Sequence, residues 1–520
     1  MSLQLNKRSI LRKTAQFGGL TFISRVLGMI RDLFLIKFLG VGAISDAFII
    51  AFKIPNFLRR IFAEGALSAA FVPVFVRKVK KKELDNANGL MSASFLFFEG
   101  IVFLLCLVVF LYPQLILKIV ATGFSEEQMS YAIPCLQILF PFIFFVSSSA
   151  LLAGALNSVN HFFVPAFGPA ILNLVFILTL LLCLQFNLSI YFLCAGILVG
   201  GFLQFLLHFI VYLKYNFKFG AIDKQSIEAF KEVLKKFLPT LVGVGIIEIN
   251  LLVDINIASF LPEGSVSLLD YGSRFMRIPV GVFAVGFATV LLPHFSRYAL
   301  YAPKRLNFYV LEVTKLVSWL IIPAMLFLMF ISDGIFSIVM LNKKANLQDV
   351  WIAKWILIIY SAGLVFFCLN KILVNVFYSL HDTRTPTFAL AISTVVNFIG
   401  NIIGMKLWGV FGIAGSTSFS ALVLTYLLFI FLRKKHKFRF YSANYFNFLG
   451  RYVLQVLLVC TLFLILYLSF FKFLCCTDLY QFFYSGWGYW FLVFPLAALA
   501  GGLIFFGKKF FGIKLYFLSK

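Results

Sequence analysis

Apolar runs, each close to a membrane-spanning length, alternate with short polar connectors along nearly the whole chain. An α-helix needs about 20 residues to cross a hydrocarbon core of about 30 Å, so the pattern predicts about fourteen transmembrane helices. Their approximate extents are 18–39, 45–76, 90–112, 131–155, 163–184, 189–212, 235–260, 265–294, 310–331, 351–378, 386–407, 411–432, 448–470 and 487–507. Lys and Arg gather in alternate connectors: Lys7, Arg8, Arg12 and Lys13 before the first run, Arg77, Lys78, Lys80, Lys81 and Lys82 after the second, and Arg433, Lys434, Lys435, Lys437 and Arg439 after the twelfth. The intervening connectors are poor in them, apart from Lys343 and Lys344. By the positive-inside rule both termini are expected on the cytoplasmic side. The first run is expected to stay attached as a helix: it outlasts a signal h-region, carries two arginines and ends without a small-residue cleavage site.

The pattern also repeats. Lys53-Ile54-Pro55 recurs as Arg277-Ile278-Pro279, Phe71-Val72-Pro73 as Leu291-Leu292-Pro293, and Ser158, Pro165 and Phe167 as Ser379, Pro386 and Phe388. An offset of about 220 residues predicts two six-helix halves in parallel orientation. The expected fold is therefore an all-α polytopic membrane protein with an N-terminal lobe (1–220), a C-terminal lobe (221–440) and a C-terminal helix pair (441–520).

Composition removes other classes. With 62% hydrophobic residues, 12% charged and a mean hydropathy of +0.99, the chain is no soluble globule. Its net charge of +25 would suggest nucleic acid in a soluble domain, but the basic residues sit in the connectors, where anionic lipid headgroups are the expected counter-charge. No GxxxxGK[ST] phosphate loop is present, and the five histidines lack metal-ligand spacing, so neither ATP hydrolysis nor a metal enzyme is expected. Six cysteines fall within spans as small apolar residues, and Cys475 and Cys476 are neighbours in an outward connector, poorly placed to bond each other. The 68 phenylalanines read as packing and lipid-facing bulk.

Against this background four arginines stand out: Arg25 and Arg31 in the first span, Arg59 in the second and Arg274 in the eighth. An intramembrane arginine is costly unless it faces a protein-lined or watery cavity, and several together predict an anionic cargo. By helical rise Arg25 lies roughly 10 Å and Arg31 roughly 20 Å from the inner end of their span, and Arg274 roughly 14 Å from the outer end of its own, all beyond easy snorkelling. Arg60 points about 100° away from Arg59. The competing reading pairs these bases internally with Asp32, Asp46 or Glu64. A separate cation site for Na⁺ or H⁺ coupling could be built from Asp254 in the seventh span with Asn397, Asn401 and Thr417, Asn397 and Asn401 sharing one helix face. The same polar groups equally suit an interhelical hydrogen-bond cluster. No cofactor is expected beyond the coupling ion and the membrane potential.

The stretch Ser24-Arg25-Val26-Leu27-Gly28-Met29-Ile30-Arg31-Asp32, with Ser45-Asp46-Ala47-Phe48 and the run from Phe52 to Ala66 that holds Asn56, Arg59, Arg60 and Glu64, resembles the signature of the MurJ (MviN) lipid II flippase family. The resemblance implies the multidrug/oligosaccharidyl-lipid/polysaccharide (MOP) exporter fold, a place in the bacterial inner membrane and a role in peptidoglycan biosynthesis. It further implies lipid II, the undecaprenyl-diphosphate-linked precursor, as the cargo moved from inner to outer leaflet, with the cell-wall synthesis machinery as a partner. On that reading Arg25, Arg31, Arg59 and Arg274 bind the substrate, and Ser24, Asp32, Asp46, Arg60 and Glu64 support them. Relatives often place an acid just before the arginine of the eighth span; here Ser273 stands there and Arg277 follows, which argues against a fixed salt bridge on Arg274. The alternatives are another MOP carrier, such as a lipid-oligosaccharide flippase or multidrug antiporter, and, more distantly, a membrane enzyme acting on lipid-linked sugar.

Overall fold

The structure, a computed structural model, describes residues 7–61, 66–340, 346–438, 441–474 and 488–518. Glu64, Lys343, Lys344, Arg439, Cys475 and Cys476 lie outside the described residues. The described residues are helical and contain no strand. In chain order the helices are α1 (Lys7–Leu39), α2 (Ala43–Arg59), α3 (Ala66–Lys80), α4 (Leu84–Leu111), α5 (Pro113–Val120), α6 (Glu126–Leu139), α7 (Phe142–Ser158), α8 (Phe163–Phe186), α9 (Ile190–Lys214) and α10 (Lys224–Ala258). There follow α11 (Ser265–Pro279), a π-helical turn (Val280–Ala284), α12 (Val285–Tyr301), α13 (Pro303–Met340), α14 (Leu347–Ala362), α15 (Leu364–Ser379), α16 (Arg384–Trp408), α17 (Val410–His436), α18 (Ser442–Leu474) and α19 (Gly488–Gly507).

Ten helical stretches among the described residues are long and apolar enough to cross a membrane. They coincide with ten of the predicted spans. The other four, α1, α2–α3, α10 and α11–α12, are those that carry intramembrane charge or a break, and three of them hold the arginines singled out above. Apolarity is lowest where the chemistry is concentrated.

The repeat is written into the backbone. Left-handed conformations that end helices occur at Asn160, Asn187 and Asn216, and again at His381, Gly409 and Lys437, each 221 or 222 positions later. A π-helical distortion follows Pro55 at residues 60–61 and follows Pro279 at Val280–Ala284, as expected where a proline removes a helical hydrogen bond. Two runs that read as single spans are each interrupted, α6–α7 at Phe140–Pro141 and α14–α15 at Gly363, again at equivalent places.

Two compact units emerge, Met1–Ser267 and Leu268–Lys520. The packing boundary thus lies past the repeat boundary near 220, because α10 packs on α3, α4 and α5. In the first unit, Phe71, Phe75, Phe98, Tyr212, Phe217 and Phe237 form a buried core joining α3, α4, α9 and α10. In the second, Trp319 of α13 packs with Phe448, Tyr452 and Ile504, and the Tyr452 hydroxyl donates to the Trp319 carbonyl at 2.6 Å, fixing α18 and α19 on that unit. Helices α16 and α17 touch backbone to backbone: a Cβ on Gly412 would lie 1.9 Å from the Gly404 carbonyl oxygen, so no larger residue fits without separating them.

Candidate functional site

Within the first unit, the face of α1 that carries Ser24, Gly28 and Arg31 lies against α8. Asn173 of α8 accepts from Arg31 Nη1 at 3.0 Å and donates to the Ser24 carbonyl at 3.1 Å. Arg31 Nε and Nη2 both donate to Asp32 Oδ1, at 3.1 and 2.8 Å, and the guanidinium sits 5.3 Å above the Phe176 ring. Arg31 is therefore held by a carboxylate, an amide and an aromatic face at once, with its side chain 20% exposed. A planar guanidinium fixed this way keeps its orientation and its charge.

Helix α2 supplies the next part. Arg59 Nε donates to Asn56 Oδ1 at 3.0 Å, while Asn56 donates to the carbonyl of Phe52. Phe52 meets Phe176 edge-on at 6.0 Å, so the ring beneath Arg31 also braces the turn that orients Arg59. Arg60 turns away, as the helical angle predicts, and gives both oxygens of Glu248 on α10 a hydrogen bond from Nη1, at 3.1 and 2.8 Å. Arg25 is exposed on α1.

Two expectations need correction. Asp46 does not serve these arginines. It is 1% exposed and accepts from the Gln128 side chain and from the backbone N–H groups of Gly264 and Ser267, where α11 begins. It acts as a carboxylate on a helix N-terminus, satisfying donors that have no intrahelical partner. In the second unit Arg274 does carry a fixed salt bridge: Nε lies 2.6 Å from Asp270 Oδ2, one turn earlier on α11. Ser273 carries no carboxylate to offer, and the acid at i−4 lies one turn below the guanidinium on the same helix face.

Asn397 and Asn401 are buried on α16 and hydrogen-bond each other at 3.3 Å; Asn397 also donates to Thr417 of α17 at 3.5 Å, and its carbonyl accepts from Ser416. These three belong to the second unit and Asp254 to the first. No cluster of His, Cys, Asp and Glu suited to a metal occurs among the described residues. Sequence reading missed Asn173, Glu248 and Asp270. Each is a polar residue in an apolar run, the one signal that could have flagged it.

Comparison with known proteins bears on the family and the fold. The family model described as lipid II flippase MurJ matches residues 35–482. A probable lipid II flippase MurJ from Vibrio cholerae is 32% identical over 437 residues, covering 81% of this chain and 82% of the relative, and one from Rickettsia prowazekii is 31% identical over 451 residues, covering 85% and 87%. A solved lipid II flippase MurJ in an inward closed conformation superposes with a TM-score of 0.78 at 28% identity, over 95% of this chain and 98% of the other. An inward-facing multidrug resistance MATE family transporter of the MOP superfamily shares the fold, with a TM-score of 0.67 at 14% identity over 78% and 93% of the two chains. The chain belongs to the lipid II flippase MurJ family.

Proposed function

We propose that this chain moves lipid II from the inner to the outer leaflet of the bacterial inner membrane, and that Arg25, Arg31 and Arg59 of the first unit, with Arg274 of the second, contact the cargo's diphosphate. The clamped Arg31 supports this most directly. A guanidinium held by Asp32, Asn173 and Phe176 presents a fixed fork, the geometry that binds phosphate oxygens in pairs. Taking a diphosphate through hydrocarbon unaided costs several kcal/mol or more per charge, and a cationic protein surface lowers that barrier. The role is carriage without covalent chemistry, so the cargo leaves chemically unchanged. Both termini face the cytoplasm, the cell-wall synthesis machinery receives the product, and a gradient of H⁺ or Na⁺ with the membrane potential resets the carrier, with Asp254, Asn397, Asn401 and Thr417 as the candidate polar groups for the ion.

Proteoliposomes loaded with lipid II test this. Wild-type protein should carry intact lipid II to the opposite leaflet, and Arg31→Ala should insert normally yet flip at background rate. Chemical conversion of lipid II, or full activity in the Arg31 variant, would overturn the reading.

A further inference from the structure

Glu99 lies midway along α4, the most hydropathic of the spans among the described residues, and is 3% exposed. Ser147 of α7 places its hydroxyl 2.7 and 2.8 Å from the two carboxyl oxygens and 3.2 Å from the carbonyl of Phe144. Ser148, fully buried, keeps its Oγ beside the same carboxyl but outside hydrogen-bond geometry, and has no other partner. No basic side chain pairs with Glu99 among the described residues. Those on the helices around it are committed or turned outward: Arg77 of α3 and Lys236 of α10 meet Glu232, Lys78 meets Glu83, Arg60 meets Glu248, and Lys80, Lys118, Lys231 and Lys235 are exposed. Helix α7 offers the carboxyl only hydroxyls; Glu126 and Glu127 of α6 are exposed at that helix's far end, and Cys106, two turns on along α4, is the titratable neighbour that feels Glu99.

An ionised carboxylate in such a place, without a cation, would cost several kcal/mol. The neutral acid fits without that penalty: its O–H donates to Ser147, whose hydroxyl donates onward to the Phe144 carbonyl. On loss of the proton the Ser147 hydroxyl can turn to donate to the carboxylate without any heavy atom moving, and a turn of the Ser148 side chain would add a second donor. Phe103 and Cys106 of α4 line an open, apolar groove with Gln137, Phe140 and Pro141, one turn or more along the helix from the carboxyl. One carboxyl and two hydroxyls make a thin shell for a sodium ion but a complete one for a proton.

We infer that Glu99, Ser147 and Ser148 form a proton-binding site of the first unit, loaded as the neutral acid when α4 and α7 are packed as here and emptied when water reaches between them. This site is distinct from Asp254 and the second-unit amides. Its link to transport rests on the flippase reading; the proton site itself does not.

The full-length protein in lipid vesicles, examined by infrared difference spectroscopy in H₂O and D₂O, tests the site directly. At neutral pH the wild type should show a D₂O-sensitive carboxylic-acid C=O band that Glu99→Gln lacks and that the Ser147→Ala, Ser148→Ala double variant shifts in frequency. Gln keeps the shape and a hydrogen bond, so the variant should fold. With lipid II present, an imposed pH gradient should change flipping several-fold in the wild type and not in Glu99→Gln. Survival of the band in Glu99→Gln would overturn the proton site, and survival of the full pH-gradient response in that variant would overturn its link to transport. If the wild type fails to move lipid II at all, the flippase reading falls while the infrared band still decides whether Glu99 holds the proton.

Discussion

Asp46 and Asp270 occupy the same place in the two repeats, each seven positions ahead of its Lys53-Ile54-Pro55 or Arg277-Ile278-Pro279 string, and they hold different things. Asp46 is given over to backbone N–H groups and Gln128, whereas Asp270 holds the Arg274 guanidinium. The same divergence recurs elsewhere. Counting forward by the repeat, Arg31 corresponds to Val253, Arg59 to Phe283 and the buried Glu99 to Leu320. Helix ends and breaks repeat faithfully because they are set by backbone geometry, which any suitable residue satisfies. These charges do not repeat, since each needs its own partner, and where one does, as at Asp46 and Asp270, the partner differs. Arg31, Arg59 and Glu99 thus belong to the first repeat alone and Arg274 to the second, on a scaffold that both share.

Removing the charge of the four arginines should break this asymmetry most visibly. Losing one charge-assisted phosphate contact costs about 1.5–3 kcal/mol, or roughly 10- to 100-fold in transport rate. Arg25→Ala, Arg31→Ala, Arg59→Ala and Arg274→Ala should each abolish complementation of a flippase-depleted bacterium while membrane insertion stays normal. Val253→Ala, at the counterpart of Arg31, should leave growth unchanged. Equal loss in the Val253 variant would mean that packing at this place in the repeat, and not the Arg31 charge, carries the effect.

How far the sequence alone reaches follows the same line. Span lengths, the tandem repeat and the arginine motif were legible because they depend on local composition and spacing, and the family resemblance rested on that motif. Partners separated by 100 residues or more were not. Asn173 and Glu248 are single polar residues in apolar runs, with no periodic signal to say which arginine each meets. Asp46 looked like a partner for Arg59 because both lie on one short helix, yet thirteen residues of helix span about 20 Å, far beyond an ion pair. The breaks at Phe140–Pro141 and Gly363 were hidden inside runs that are apolar on both sides. Glu99 went unnoticed for the opposite reason, since an uninterrupted apolar context made one acid look incidental.

Stability should separate the two aspartates next. Asp46→Ala strands two backbone donors and the Gln128 amide, at about 1–3 kcal/mol for each group left buried without a partner. No single compensating substitution should restore it, because backbone groups cannot be mutated away. Asp270→Ala strands Arg274, whose side chain is 16% exposed, at about 3–5 kcal/mol. Here the double variant Asp270→Leu, Arg274→Leu should recover most of the thermal stability in detergent while remaining inactive in flipping. Failure of that double variant to recover would mean that Asp270, like Asp46, chiefly serves the backbone.

The smallest effect belongs to a pair of connectors that the repeat also places in register. In the first repeat His161 Nδ1 lies 2.8 Å from the Tyr215 hydroxyl. At the matching positions of the second, Asp382 lies 2.9 Å from His436 Nε2 and 2.9 Å from Lys435 Nζ, and accepts from the Thr385 hydroxyl at 2.7 Å. Burial alone would push the Asp382 carboxyl up, but the hydrogen bonds from Thr385, Lys435 and His436 outweigh it and hold the group well below the usual carboxylate range. A folded value below the unfolded one, about 3.9, means that the carboxylate stabilises the fold above about pH 4 and that this contribution fades as pH falls through the folded value. Lys435 is 55% exposed, so the ion pair is worth about 1 kcal/mol or less. Melting curves should therefore show Asp382→Asn below wild type by a small constant margin above about pH 4, with the two converging in more acid solution. Tyr215→Phe removes a hydrogen bond where the first repeat has no carboxylate, and should lack that acid convergence. A margin for Asp382→Asn that persists unchanged into strong acid would show that the connector is held by packing, and that in this one place the two repeats are alike.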